Sequence, residues 1–149
     1  MSNTLCWIKD KPIAHRGLHD GNISVPENSL LSFEKAIEKK YPIEIDVQIT
    51  KDNTIIVFHD LDLRRACGQK LKVSKLTMPV LNTLKIFNSI YTIPTLEETL
   101  EVVNGKVPLL IELKNFSLNK NLEKRLIEQL ASYNGDFALQ SFNPFRCVG

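Results

Sequence analysis

Two Asn-Gly pairs, Asn104-Gly105 and Asn134-Gly135, stand thirty positions apart, each after a helical stripe and before an apolar strand. That spacing is the length of one strand-plus-helix unit, and a chain of such units folds around a parallel sheet. An Asn-Gly pair also suits a hairpin turn. Here the preceding period is helical, so both glycines are expected as C′ caps. Leu96, Leu100 and Val103 form the first stripe, and Thr95 with Glu98 has capping-box spacing. Leu122, Leu126 and Leu130 form the second, over about residues 120–133. An earlier helix is expected from Asn28 or Ser29 to about Lys40, with Leu30, Phe33 and Ile37 on one face and Pro42 beyond its end. Strands are expected at residues 13–17, 43–50, 55–59, 107–114 and 137–142, with a turn at 51–54.

Two architectures fit this alternation: an open doubly wound sheet and a (β/α)8 TIM barrel. The first strand and the residues after it, IAHRGLHDGN at 13–22, hold no GxGxxG phosphate loop, which weakens the open-sheet reading. A complete barrel takes about 250 residues, about 31 per unit. At that rate 149 residues hold roughly five units, so the expected fold is α/β, a TIM-barrel type truncated to about the first five strand–helix units.

Composition excludes several classes. With 43% hydrophobic and 24% charged residues the chain is too apolar for a disordered one. A net charge of +2 carries no signature of a nucleic-acid binder. Cys6, Cys67 and Cys147 are odd in number and widely spaced, which argues against a disulfide framework or a cysteine zinc site. The first eleven residues contain no apolar h-region, and no apolar run nears the roughly 18 residues of a membrane span. The expectation is a soluble, cytoplasmic protein.

The chemistry lies at the strand ends. In Ile43-Glu44-Ile45-Asp46-Val47 the two carboxylates alternate with apolar residues, so both face one side of a strand. Burying both is costly unless a cation neutralises them; a solvated edge strand is the alternative. Glu112 and Lys114 share a face in the same way, as a structural ion pair or as part of a site. His15 and His59 each end a strand, and Arg16 follows the first. In a barrel all strand C-termini meet at one mouth. The mouth would then hold three carboxylates suited to Ca²⁺ or Mg²⁺, two histidines suited to proton transfer, and two cations suited to phosphate. That set describes metal-assisted phosphoester hydrolysis.

The same residues resemble the glycerophosphodiester phosphodiesterase family, a phosphatidylinositol-phosphodiesterase-like TIM barrel. The matching blocks are AHRG at 14–17, PENS at 26–29, EIDVQITKD at 44–52, VFHD at 57–60, IPTLEETL at 93–100, LLIELK at 109–114 and LQSFNP at 139–144. The resemblance implies metal-dependent hydrolysis of small glycerophosphodiesters to an alcohol and sn-glycerol 3-phosphate. It implies His15 and His59 as acid and base, and Glu44, Asp46 and Glu112 as ligands of a divalent cation, Ca²⁺ or Mg²⁺. It implies Arg16 and Lys114 at the phosphate. Asn28 matches the family's asparagine, beside the phosphate or first histidine, or as a helix cap.

The segment at about 61–92 matches a small insertion after the family's third strand. Between Asp60 and Thr92 it carries six basic and two acidic residues, a net of +4 that would draw anionic substrates if it is not simply a solvated loop. Cys67, Ser29 and Asn53 depart from the family's usual Thr, Thr and turn glycine. Family members continue for three further strand–helix units, so residues 1–149 are expected to be the N-terminal part of one domain. The open barrel edges invite pairing into a homo-oligomer. A catalytically impaired remnant, or a module that binds metal and phosphodiester without turnover, are the competing readings.

Overall fold

The computed structural model describes residues 6–114 and 120–141. The last residue of the expected fifth strand, the end of the LQSFNP block and Cys147 lie outside them. In chain order the elements are α1 (Trp7–Asp10), β1 (Ala14–His15), α2 (Leu30–Glu38), β2 (Ile43–Ile49), β3 (Ile55–Val57) and β4 (Asp62–Leu63). There follow α3 (Arg64–Cys67), β5 (Gln69–Lys72), α4 (Met78–Leu81), α5 (Leu96–Val103), β6 (Leu109–Leu113), α6 (Asn121–Leu130) and β7 (Phe137–Gln140).

The main sheet has the order β1-β2-β6-β7, every neighbour parallel. Ile43, Ile45 and Val47 of β2 are fully buried against Phe33 and Ala36 of α2, Leu96 and Val103 of α5, and Leu122, Leu126 and Leu130 of α6. The helical stripes read from the sequence therefore cover one face of the sheet. Glu44, Asp46 and Gln48 alternate onto the opposite face and are also buried.

β3 does not add a further parallel strand. It pairs antiparallel with β2, Val47 opposite Val57 and Ile49 opposite Ile55. The five residues between them are too few for a parallel crossover, which needs a dozen or more. Asn53 takes a left-handed φ of 61°, filling the place of the turn glycine. The hairpin carries the chain back toward the level of Asp46, whose carbonyl accepts the Phe58 N–H at 2.9 Å.

Residues 61–92 are not a solvated loop. Leu63, Ala66, Val73, Leu81 and Ile86 form a second core with Ile56 and Phe58 of the hairpin arm and with Ile93. A two-stranded β4–β5 sheet and the short α3 and α4 surround it.

The caps divide. Thr95 and Glu98 form the expected capping box, at 3.1 and 2.8 Å. Ser29, paired with Ser32, caps α2. Asn104 and Gly105 end α5 in left-handed conformations, φ 43° and 71°. The second Asn-Gly pair departs from expectation: α6 stops at Leu130, and Gly135 is not left-handed. Its bareness serves packing. A side chain there would strike the Tyr133 ring, whose hydroxyl accepts the Gly105 N–H at 3.1 Å. The two pairs thus meet in space.

Candidate active site

Parallel register builds the centre of the site. Asp46 of β2 stands opposite Glu112 of β6, and Glu44 stands opposite His15 of β1. The carboxylates of Glu44, Asp46 and Glu112 each offer an oxygen within 4.8 Å of the others, and all three residues are buried. Burial, and then the negative charge of Asp46, push the Glu44 carboxyl up to about 8. Glu44 Oε1 and Asp46 Oδ1 are buried with no hydrogen-bond partner among the described residues. Three clustered acids, two of them with an orphaned oxygen, are a donor set that fits a hard divalent cation.

The cations expected from the sequence surround these acids. Lys114 Nζ donates to Glu112 Oε1 at 2.6 Å and lies 3.5 Å from Asp46 Oδ1. Its pKa is raised: burial opposes the charge, but Glu112 and Asp46 outweigh it. Arg16 Nη1 donates to Glu27 Oε1 at 3.1 Å, and its Nε lies 3.5 Å from Asp46 Oδ2. Asn28 does not cap the helix; its amide donates to Asp46 Oδ2 at 3.0 Å.

The loop after β1 holds this arrangement through strained backbone. Arg16 and Gly17 are both left-handed, φ 58° and 79°. Gly17 abuts Ser32, where a Cβ would collide with the side chain. The turn aims the Arg16 N–H at Glu44 Oε2, 3.0 Å away, and the Arg16 carbonyl accepts the Asn28 N–H at 2.8 Å. Asn28 is left-handed too, at φ 50°. Such strain persists where surrounding structure over-determines it, and it clusters at functional sites.

The two histidines are placed differently. His15 has a side chain 66% exposed, with Nε2 3.8 Å from Glu44 Oε2. Its pKa is lowered by burial of part of the ring and by the neighbouring Arg16 charge. His59 comes from the returning hairpin arm. Its Nδ1 lies 2.7 Å from Asp60 Oδ1. Gln48 Nε2 donates to the carbonyls of Phe58 and Asp60, both at 2.7 Å, pinning the backbone on either side of His59.

Four participants were not singled out from the sequence: Glu27, Gln48, Asp60 and Arg65. Glu27 and Asp60 lie inside the quoted PENS and VFHD blocks, and Gln48 shares the face of Glu44 and Asp46 by strand alternation. Arg65 gave no local signal. It was counted among the basic residues of segment 61–92, yet it bonds both Glu27 and Asp60. Arg64 is also paired, 3.4 Å from Asp62, so with both acids of the segment taken by its arginines the net +4 rests on Lys70, Lys72, Lys75 and Lys85.

Comparison with known proteins agrees with this geometry. A sequence model of the glycerophosphoryl diester phosphodiesterase family matches residues 15–146. The chain is 37% identical over 133 residues to a glycerophosphodiester phosphodiesterase of Bacillus altitudinis, covering 83% of this chain and 53% of that one. It is 33% identical over 149 residues to one from Caldanaerobacter subterraneus, covering 93% and 60%. The chain thus spans between about half and three fifths of these relatives. Its fold superposes on a phosphodiesterase of Oleispira antarctica, solved in complex with the product sn-glycerol-3-phosphate. There the TM-score is 0.80 at 28% identity, over 93% of this chain and 61% of that one.

Proposed function

The chain belongs to the glycerophosphoryl diester phosphodiesterase family, and from that membership and the site's geometry we propose that it carries a site for hydrolysing glycerophosphodiesters to an alcohol and sn-glycerol 3-phosphate. The observation that carries this reading is the buried triad of Glu44, Asp46 and Glu112, with its orphaned oxygens, gathered beside His15 and the His59 turn. Those three residues would hold a divalent cation, Ca²⁺ or Mg²⁺. When bound, it supplies charge neutralisation and polarisation at the phosphate.

The protein's own groups do the rest. Arg16 and Lys114 reach the triad from either side and contribute positive charge where the phosphoryl oxygens would lie. Asn28 holds Asp46 in one orientation. One histidine takes the proton from the attacking oxygen, and the other gives a proton to the departing alkoxide. Glu44 stands beside His15, and Gln48 pins the backbone on either side of His59.

Release of sn-glycerol 3-phosphate from glycerophosphodiesters, with Ca²⁺ or Mg²⁺ supplied, tests the reading. His15→Ala and His59→Ala should each lower turnover by about 10²–10⁴-fold. Turnover that survives either substitution removes that histidine from the chemistry, and no release from the wild type refutes the activity.

A further inference from the structure

We propose that Arg65 and Asp60 are positioning residues for this reaction: together they set the orientation and tautomer of His59. The proposal rests on the reading of His59 as a proton-transfer group.

The backbone flanking His59 is already held by Gln48, so the remaining freedom is rotation of the ring. The contact that stops it is Asp60 Oδ1, 2.7 Å from Nδ1. An ionised carboxylate only accepts, so Nδ1 carries the hydrogen, and in the neutral imidazole Nε2 keeps its lone pair. That leaves Nε2 to exchange a proton with substrate.

Asp60 can hold the ring only if it is itself held. Arg65 Nε donates to Asp60 Oδ2 at 2.9 Å, and Arg65 Nη2 donates to Asp60 Oδ1 at 3.2 Å. The same guanidinium grips Glu27 from its other edge, Nη1 to Oε2 at 3.0 Å and Nη2 to Oε1 at 2.5 Å. Its face lies 5.1 Å from the Phe87 ring centroid. Glu27 is fixed in turn by Asn22 at 2.9 Å and by Arg16. The chain of contacts runs His59–Asp60–Arg65–Glu27–Arg16, from one histidine to the arginine that follows the other. Arg65 is drawn from the folded segment 61–92, so that segment reaches the site through one side chain. Burial pushes the Asp60 carboxyl up, but the hydrogen bonds from Arg65 and His59 prevail and keep it below the usual carboxylate range, consistent with an acceptor-only partner.

The experiment reads the His59 imidazole by ¹⁵N NMR at neutral pH, together with steady-state turnover. Wild type should show Nδ1–H. Asp60→Ala and Arg65→Gln should move His59 toward the Nε2–H form. In turnover they should lose about 10²-fold and about tenfold in kcat, respectively, with KM within about threefold. A staple that merely stabilises the fold would lower the melting temperature without changing the tautomer. Should Arg65→Gln not fold, Arg65→Lys keeps the charge and loses the fork, and an intermediate tautomer mixture is expected there. Unchanged Nδ1–H in the folded Arg65 variant overturns the proposal, as does kcat within twofold of wild type. His59→Ala separates the two failures. If it stays active the catalytic reading of His59 falls, whereas if it is inactive while the Arg65 variants behave as wild type, only the positioning role falls.

Discussion

Two glutamates a few ångströms from the same arginine illustrate how environment sets charge. Burial pushes both upward. Glu44 receives one backbone N–H, from Arg16, and stands beside Asp46, so its carboxyl rises to about 8. Glu27 receives Arg65, Asn22 and Arg16, and these donors overcome burial and bring it down to about 2. A carboxyl depressed in the folded state adds stability that is present above its unfolded value, near 4.5, and is lost as pH falls through its folded value. Glu27→Gln should therefore cost about 1–3 kcal/mol at neutral pH. The gap between mutant and wild-type denaturation curves should close as pH falls from about 4.5 toward 2. A gap of constant size across that window would show that the Glu27 charge contributes nothing.

Among the elements, the β2–β3 hairpin does most to assemble the site. β2 supplies two acids at the level of β1 and β6, then continues past them, and β3 returns to deliver His59. Gln48, buried on the inner face, ties the return to the outgoing strand by two bonds to main-chain carbonyls. Gln48→Leu keeps the volume and the burial but leaves the Phe58 and Asp60 carbonyls without that donor. It should cost about 2–3 kcal/mol in chemical denaturation and lower turnover through a loosened His59 turn. If stability falls and turnover per folded molecule does not, the tie holds the hairpin and not the histidine.

Across the whole molecule, the sheet collects acids from β2 and β6 that are 66 residues apart in sequence, and nothing among the described residues compensates them fully. A cation that binds only the folded state stabilises it by RT ln(1 + [L]/Kd), about 2.7 kcal/mol at a hundredfold excess over Kd. For a chain of this size that corresponds to roughly 5–10 °C in melting temperature. Ca²⁺ or Mg²⁺ should produce such a rise. Glu44→Gln should abolish most of it while leaving the metal-free protein as stable as wild type or more so, because a neutral side chain removes the repulsion. An equal metal-induced rise in Glu44→Gln would exclude Glu44 as a ligand. Among the described residues no helix is long and apolar enough to cross a membrane.

What the sequence determined by itself is what depends on neighbours along the chain. Alternation placed Glu44 and Asp46 on one face and Ile43, Ile45 and Val47 on the other, because strand period is a local property. The Thr95 capping box and the stripes of α2, α5 and α6 were legible for the same reason, and the quoted blocks carried the family. Tertiary structure alone decided the rest. The thirty-residue repeat of Asn-Gly suggested two like caps, but Gly135 answers to the Tyr133 ring rather than to helix geometry. The segment 61–92 read as a basic loop because a core shared with β3 leaves no period in so short a stretch. Arg65 read as one more surface charge because its partners lie 38 residues before it and five residues before it, on separate loops. A guanidinium binds wherever the fold brings two carboxylates together, and no local pattern records which two those will be.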